Sequence, residues 1–347
     1  MEKVMAALSG GVDSSVAVFL LKKAGYDCAG SIMTLHAPSP ESLSDAHSVA
    51  ERLDIPFYVL DCQEVFHKAV IAEFIAAYER GETPNPCITC NRCIKFSHFM
   101  QEAMKLGCDT IATGHYARIR KDENTGRYLL LRAVDESKDQ TYFLYMLRQQ
   151  QLARTLFPLG ELTKTQVRQI AEENGFVNAH RKDSQDICFV PDGNYLAFME
   201  GYTGKTYPCG DFLDLTGKVV GTHNGAVGYT LGQRKGLGIA LGAPVYVCGK
   251  DMEKNTVTVG PEEVLFSTTL IAKDCNWFPF EALTEPIEVT AKARYRHKEQ
   301  PATVYPLENG QVEVVFHTQQ RALTTGQAVV FYQGETVIGG GTICKIK

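Results

Sequence analysis

Several familiar signals are missing from this 347-residue chain. No apolar run is long enough to span a bilayer, and a polar glycine loop arrives within nine residues of the N-terminus, so neither a spanning helix nor a signal peptide is expected. There is no internal repeat, heptad or low-complexity stretch. The phosphate-binding patterns G-x-x-x-x-G-K-[ST] and G-x-G-x-x-G are also absent, which takes support from kinase, GTPase and dinucleotide readings. Eleven cysteines are too few for a disulfide scaffold of this length. Their odd number favours free, catalytic or metal-binding thiols in a reducing, cytoplasmic setting. The formal net charge of −5 argues against a generic polyanion-binding surface but is compatible with a local basic patch. An apolar content of 44% is ample for a large core and suggests two or three domains.

What is present begins with Ser9-Gly10-Gly11-Val12-Asp13-Ser14-Ser15, set between an apolar run (residues 4–8) and an amphipathic one (residues 16–24) that stops at Gly25. This reads as a strand, a glycine turn and a helix start. The two glycines permit a tight turn and close approach to a ligand, and the new helix presents unpaired N–H groups and partial positive charge, a setting suited to phosphate.

Strand and helix signals then alternate to about residue 205. Strands are expected at 28–35, 57–60 and 110–113, and helices at 40–53, 64–80 and 94–106. The alternation predicts a parallel sheet with covering helices, an α/β domain. In that class ligands sit beyond the carboxyl ends of the strands, where residues 9–15 and Gly114-His115 both fall. After residue 205, glycines and prolines punctuate short alternating runs at 245–248, 256–259, 287–291, 303–305, 312–316 and 328–332. Residues 206–265 are expected to form a small central domain, and 266–347 a β-barrel or sandwich.

Three cysteines recur at every third position in Thr83-Pro84-Asn85-Pro86-Cys87-Ile88-Thr89-Cys90-Asn91-Arg92-Cys93, which reads as a proline-stiffened loop between two helices. Cys188 lies in Arg181-Lys182-Asp183-Ser184-Gln185-Asp186-Ile187-Cys188-Phe189, where basic neighbours favour the thiolate. Three chemistries suit such thiols: structural zinc, an iron–sulfur cluster, and a redox pair that carries sulfur. Zinc is disfavoured because no second C-x-x-C supplies a closed four-ligand site. Three cysteines on a cluster would leave one iron open. Cys28, Cys62, Cys108, Cys209, Cys248, Cys275 and Cys344 mostly fall in apolar or strand contexts and are expected to be inert.

Taken together in order, these segments resemble the tRNA-specific 2-thiouridylase (MnmA/TrmU) family of PP-loop ATP pyrophosphatases. The resemblance runs the length of the chain. It rests on residues 9–15, Thr83-Pro84-Asn85-Pro86 with Cys90-Asn91, Ala112-Thr113-Gly114-His115-Tyr116-Ala117, Lys138-Asp139-Gln140, Asp183-Ser184-Gln185 with Ile187-Cys188-Phe189, Gly232-Gln233-Arg234-Lys235-Gly236-Leu237-Gly238, Arg294-Tyr295-Arg296 and Thr325-Gly326-Gln327. It implies a PP-loop domain (1–205), a small central domain (206–265) and a C-terminal β-barrel (266–347).

It also implies that ATP is held by Ala7, Leu8, Ser9, Gly10, Gly11, Val12, Asp13 and Ser14 with Met33 and Gly114, with Mg²⁺ on the departing pyrophosphate and Asp13 in a catalytic role. The C2 oxygen of a wobble uridine would be adenylated. Cys188 would take sulfur as a persulfide from a donor protein, and Cys90 would act as nucleophile and then pair with Cys188 in a disulfide. Asn85, Pro86 and Cys87 would meet the target base, with further tRNA contacts from His115, Lys138, Asp139, Gln140, Arg294, Tyr295 and Gln327. Arg294, Arg296 and Lys298 form a plausible phosphate patch.

Two departures stand out. The family pattern has aspartate where this chain has Cys87 and commonly an acidic residue at Cys93, and the loop after Met33 is shorter than usual. A thiol beside Cys90 and Cys188 keeps open a second route, in which Cys87, Cys90 and Cys188 ligate a [4Fe–4S] centre and free sulfide is the source. A non-catalytic tRNA-binding protein and a PP-loop amidotransferase or ligase are the remaining alternatives. Intact residues 9–15, Cys90 and Cys188 speak against the first, and the lack of anything resembling a glutaminase domain against the second.

Overall fold

The computed structural model describes residues 2–36, 40–179 and 187–347. The N-terminal half is built on a five-stranded parallel sheet ordered Phe57–Asp61, Asp27–Thr34, Lys3–Ala7, Thr110–Ala112, Thr155–Leu156. Val4, Met5 and Ala6 are buried on both faces of the sheet, as parallel strands under covering helices require. Strand order reverses beside Lys3–Ala7, so the sheet has its switch point between that strand and Thr110–Ala112. The crevice of a doubly wound sheet lies there, and residues 8–11 and 113–115 line its carboxyl edge.

One expectation is corrected. Residues 86–93 are not a loop: Pro86–Cys90 is helical, Asn91–His98 continues as a π-helix, and Phe99–Lys105 returns to α. Only 82–85 is irregular. The physical reason is local. Pro86 occupies the first helical position, where its missing N–H costs nothing, and the Asn85 side chain caps the start by accepting from the Cys87 N–H at 3.2 Å. The prolines therefore start a helix instead of stiffening a loop.

The central domain carries a four-stranded sheet ordered Tyr246–Asp251, Thr256–Gly260, Gly210–Leu213, Val219–His223. The C-terminal domain is a closed barrel of six strands ordered Phe266–Trp277, Val312–Arg321, Gln300–Pro306, Ile287–Lys292, Ala328–Gln333, Thr336–Ile346, with the last pairing back onto the first. The expected runs at 287–291, 303–305, 312–316 and 328–332 lie within these strands. A hairpin that the sequence reading did not anticipate, Arg118–Lys121 with Tyr128–Leu131, leaves the first domain and joins the barrel sheet at Leu131–Thr336. Arg127 fastens it by donating to the carbonyls of Phe278 and Phe280. The first domain and the barrel also share one buried apolar cluster, in which Phe96, Phe99 and Tyr142 pack with Val330 and Tyr332.

Candidate functional site

The turn after Lys3–Ala7 is held by its own polar groups. Leu8 N–H donates to the Ser31 carbonyl at 2.7 Å, which ties the loop start to the strand that also carries half-buried Met33. Gly10 has φ +76°, and a Cβ there would stand 2.5 Å from the Ser42 carbonyl oxygen, so only glycine fits. Ser14 Oγ accepts from Ser9 N–H at 3.1 Å and donates to the Gly11 carbonyl at 2.8 Å. Asn178 Nδ2 donates to the Gly10 carbonyl and to Ser15 Oγ, both at 2.9 Å. Helix Val12–Lys23 starts at Gly11 with no side-chain cap, which leaves the N–H groups of its first turn for an anion. Gly114 reaches the same place from Thr110–Ala112. A Cβ on Gly114 would lie 2.8 Å from the Asp13 carbonyl carbon and the Ser14 nitrogen.

Asp13 is an acidic group of this crevice. Lys164 Nζ donates to both of its carboxylate oxygens at 2.8 Å, and Tyr116 Oη donates to Oδ1 at 2.8 Å. Lys164 is the first residue of helix Lys164–Glu173, behind a Thr163–Gln166 capping box. A cation there opposes the helix dipole. That mismatch is the sequence signal that would have found Lys164, and neither Lys164 nor Asn178 is anticipated from the sequence.

Cys87 and Cys90 lie at the start of the helical stretch 86–105. Cys90 is buried with Phe66, Phe74 and Ile94, and Ile187 and Phe189 pack against the same cluster. Phe189 meets Phe74 edge-on at 5.2 Å, so the residues on both sides of Cys188 are anchored beside Cys90. Cys87 and Cys188 are exposed. The expected Asp183-Ser184-Gln185 segment lies outside the described residues. Burial pushes the Cys90 thiol up to about 12, with smaller upward contributions from Cys188, Cys87 and Cys93, while the Lys95 charge pulls it down. Although both residues keep solvent contact, the Cys87 and Cys188 thiols are also raised, first by desolvation from the protein packed around them, and Lys95 opposes this in both. Lys95 is thus a shared cation that the sequence reading missed. It is five residues beyond Cys90, a spacing that an α-helical period disfavours and the i→i+5 winding of Asn91–His98 brings round. Among the described residues, no three His, Cys, Asp or Glu side chains are grouped to hold a metal ion. Cys87, Cys90 and Cys188 sense one another's charge without forming a ligand set.

The remaining expected contact residues fall into two groups. Asn85 and Lys138 are half-buried, Pro86 is buried, and Tyr295 packs on Phe143 with ring centroids 4.3 Å apart under the Lys292 ammonium. Asn85 caps its own helix, and the other expected contact residues are bonded within the protein. His115 is buried between Phe96 and Phe157, with Nδ1 2.6 Å from Thr113 Oγ1. Asp139 accepts from Thr141 Oγ1 at 2.5 Å and Ala133 N–H at 3.0 Å, and burial raises its carboxyl. Gln140 Oε1 accepts from Tyr116 N–H at 2.9 Å. Arg294 donates to the Leu231 and Ala322 carbonyls at 3.2 and 2.8 Å and to Thr324 Oγ1. Gln327 Nε2 donates to the Thr83 carbonyl at 2.7 Å.

Comparison with known proteins gives a consistent result. Three family models match in succession: the tRNA methyl transferase HUP domain over residues 2–192, the tRNA methyl transferase PRC-barrel domain over 196–261, and the aminomethyltransferase beta-barrel domain over 267–343. The tRNA-specific 2-thiouridylase MnmA of Acetivibrio thermocellus is 48% identical over 355 aligned positions, covering 99% of each chain. That of Clostridioides difficile is 47% identical, covering 99% of this chain and 98% of its own. A solved U34-tRNA thiolase NcsA from Methanococcus maripaludis, with its [4Fe-4S] cluster, is 16% identical with a TM-score of 0.36, covering 58% of this chain and 67% of that one. That likeness is too distant to bear on the chemistry.

Proposed function

Because this chain belongs to the tRNA-specific 2-thiouridylase (MnmA) family, we propose that it thiolates C2 of the wobble uridine of tRNA at the expense of ATP, using Cys188 and Cys90. The observation that carries the reading is the pairing of a glycine-turn anion site at residues 8–14 with an exposed thiol, Cys188, anchored beside a buried one, Cys90. The HUP-domain model is named for methyl transfer, but a methyl transfer would leave both the ATP loop and the thiol pair without work.

Residues 7–14, Met33 and Gly114 would hold ATP, and Asp13 would help to hold Mg²⁺, which would offset the charge of the departing pyrophosphate. ATP supplies adenylation of the C2 oxygen, which makes that oxygen a leaving group and releases pyrophosphate. Asn85, Cys87, Lys138 and Tyr295 would offer polar edges and an aromatic face to a uridine splayed from its stack, with Pro86 buried behind Asn85. Cys188, exposed, accepts sulfur from a persulfide donor protein.

The terminal persulfide sulfur attacks C2 and AMP departs. Cys90, as thiolate, then attacks the Cys188 sulfur, so that the S–S bond breaks toward C2, the thiocarbonyl forms, and the two cysteines are left as a disulfide. An external dithiol must reduce that disulfide before the next cycle. Lys95 favours the Cys90 thiolate, and burial keeps that thiol from reacting early. This reading places the enzyme in the cytoplasm with its tRNA.

The test is anaerobic purification followed by iron and acid-labile sulfide analysis, then single-turnover thiolation with ATP and a persulfide donor, with peptide mapping. Metal-free protein that forms 2-thiouridine and a Cys90–Cys188 disulfide is the expected result. About four irons per chain, as a [4Fe–4S] centre carries, lost on replacing Cys87, Cys90 or Cys188, would overturn the persulfide route.

A further inference from the structure

We infer that Gln327 and the barrel turn around it are positioning elements for the nucleophile, acting through the segment that starts the cysteine helix. The turn lies between barrel strands, yet it is bonded to the first domain at two points. Thr83 N–H donates to the Thr325 carbonyl at 2.9 Å, and Gln327 Nε2 donates to the Thr83 carbonyl at 2.7 Å. Both backbone groups of Thr83 are thus taken by the barrel. Between these bonds sits Gly326, with φ +86°. A Cβ there would approach Glu82 Cβ to 2.9 Å and Thr83 N to 3.0 Å, so the turn and the segment touch backbone to backbone.

From Thr83 the covalent path to the chemistry is short and stiff. Pro84 and Pro86 restrict the backbone, Asn85 caps the helix, and Cys90 is that helix's last residue. The other side of the turn is held as well. Gln327 N–H donates to the Thr324 carbonyl at 3.3 Å, and Thr324 Oγ1 accepts from Arg294, which also reaches Leu231 of the central domain. Arg294 and Gln327 therefore link all three domains at the foot of the cysteine helix. Gln327 is half-buried, and its Nε2 is engaged with the first domain.

The proposal rests on the thiolase reading for its kinetic arm only. Its first arm uses tRNA-free protein: iodoacetamide alkylation of Cys90 and amide exchange at Thr83, in wild type, Gln327→Met and Gln327→Glu. Loss of one half-buried hydrogen bond, about 1 kcal/mol, should raise both rates roughly fivefold. In the kinetic arm, kcat for thiolation should fall in the variants by a similar factor while KM for tRNA moves less than about twofold. Unchanged alkylation and exchange, with or without a raised KM, would overturn the inference; a raised KM would make Gln327 a tRNA contact. If the variants do not fold, rapid exchange of the wild-type Thr83 amide would overturn it equally. Wild-type protein that fails to thiolate tRNA while the tRNA-free effects persist would sink the functional reading and leave the positioning role standing.

Discussion

Lys164 holds Asp13 through both carboxylate oxygens at 2.8 Å, across two helices that start 152 residues apart (164 − 12). The pair sits where the first turn of Val12–Lys23 presents its N–H groups. The Lys164 side chain is 11% exposed and the Asp13 side chain 30%, so solvent screens the pair only in part. Replacing Lys164 with Met leaves Asp13 with Tyr116 alone and an uncompensated charge facing the bound pyrophosphate. The expected outcome is a stability loss of about 1–2 kcal/mol and ATP binding weakened about tenfold. Thermal unfolding and ATP titration check both, and unchanged ATP affinity would remove Lys164 from the site.

Gly114 gives a steric counterpart. Its missing side chain lets the end of Thr110–Ala112 touch the backbone of Asp13 and Ser14, and backbone cannot rotate aside as a side chain can. Gly114→Ala should therefore separate the two loops, destabilise the fold by about 1–3 kcal/mol and lower ATP affinity more than Gly201→Ala, where the backbone is helical and an added Cβ meets nothing within 4 Å. The two melting curves compared in one buffer decide it.

With its thiol pushed up to about 12, Cys90 is almost wholly protonated at neutral pH. Since the thiolate is the reacting form, alkylation of Cys90 in the tRNA-free enzyme should rise about tenfold per pH unit from 7 to 10 without a plateau. Lys95→Met removes the opposing charge found among the described residues and should slow the reaction at every pH while keeping the slope. A plateau below pH 9 would show that some other group activates the thiol.

Where local physics dominates, the architecture was legible. Glycine turns, apolar strands and switch-point logic place residues 9–15 and 114 at one crevice. The cysteine segment was misread because two prolines suggest a loop, whereas Pro86 behind an Asn85 cap starts a helix. Lys95 was missed because its partnership with Cys90 depends on a π-helical winding that has no compositional signature. Asn178 and the docking of the hairpin at 118–131 on the barrel depend on partners distant in sequence, so only the assembled fold reveals them, whereas Lys164 leaves one local trace, a cation at a helix start. The linkage of Gln327 to Thr83 is of the same kind.

His115 allows the sign of a pH effect to be worked through. Its imidazole is buried between two phenylalanines and accepts or donates one hydrogen bond at Thr113, and burial holds its protonation well below the usual 6.5, with the Lys95 charge adding to the effect. The native ring is therefore neutral where an unfolded one would take a proton. Below about pH 6.5 the unfolded chain binds a proton that the native state refuses, so stability declines as pH falls, by up to about 1.4 kcal/mol per unit, until the depressed native value is reached. His223 and His297 are shifted down in the same direction, and so the wild-type acid sensitivity belongs to all three. His115→Asn keeps a polar partner for Thr113 and removes one titrating ring. Its melting temperature should fall less steeply than that of wild type between pH 7 and 5, the two curves converging on the acid side. Parallel curves would mean that the ring is protonated in the native state, which would also make it available to a phosphate and reopen His115 as a tRNA contact.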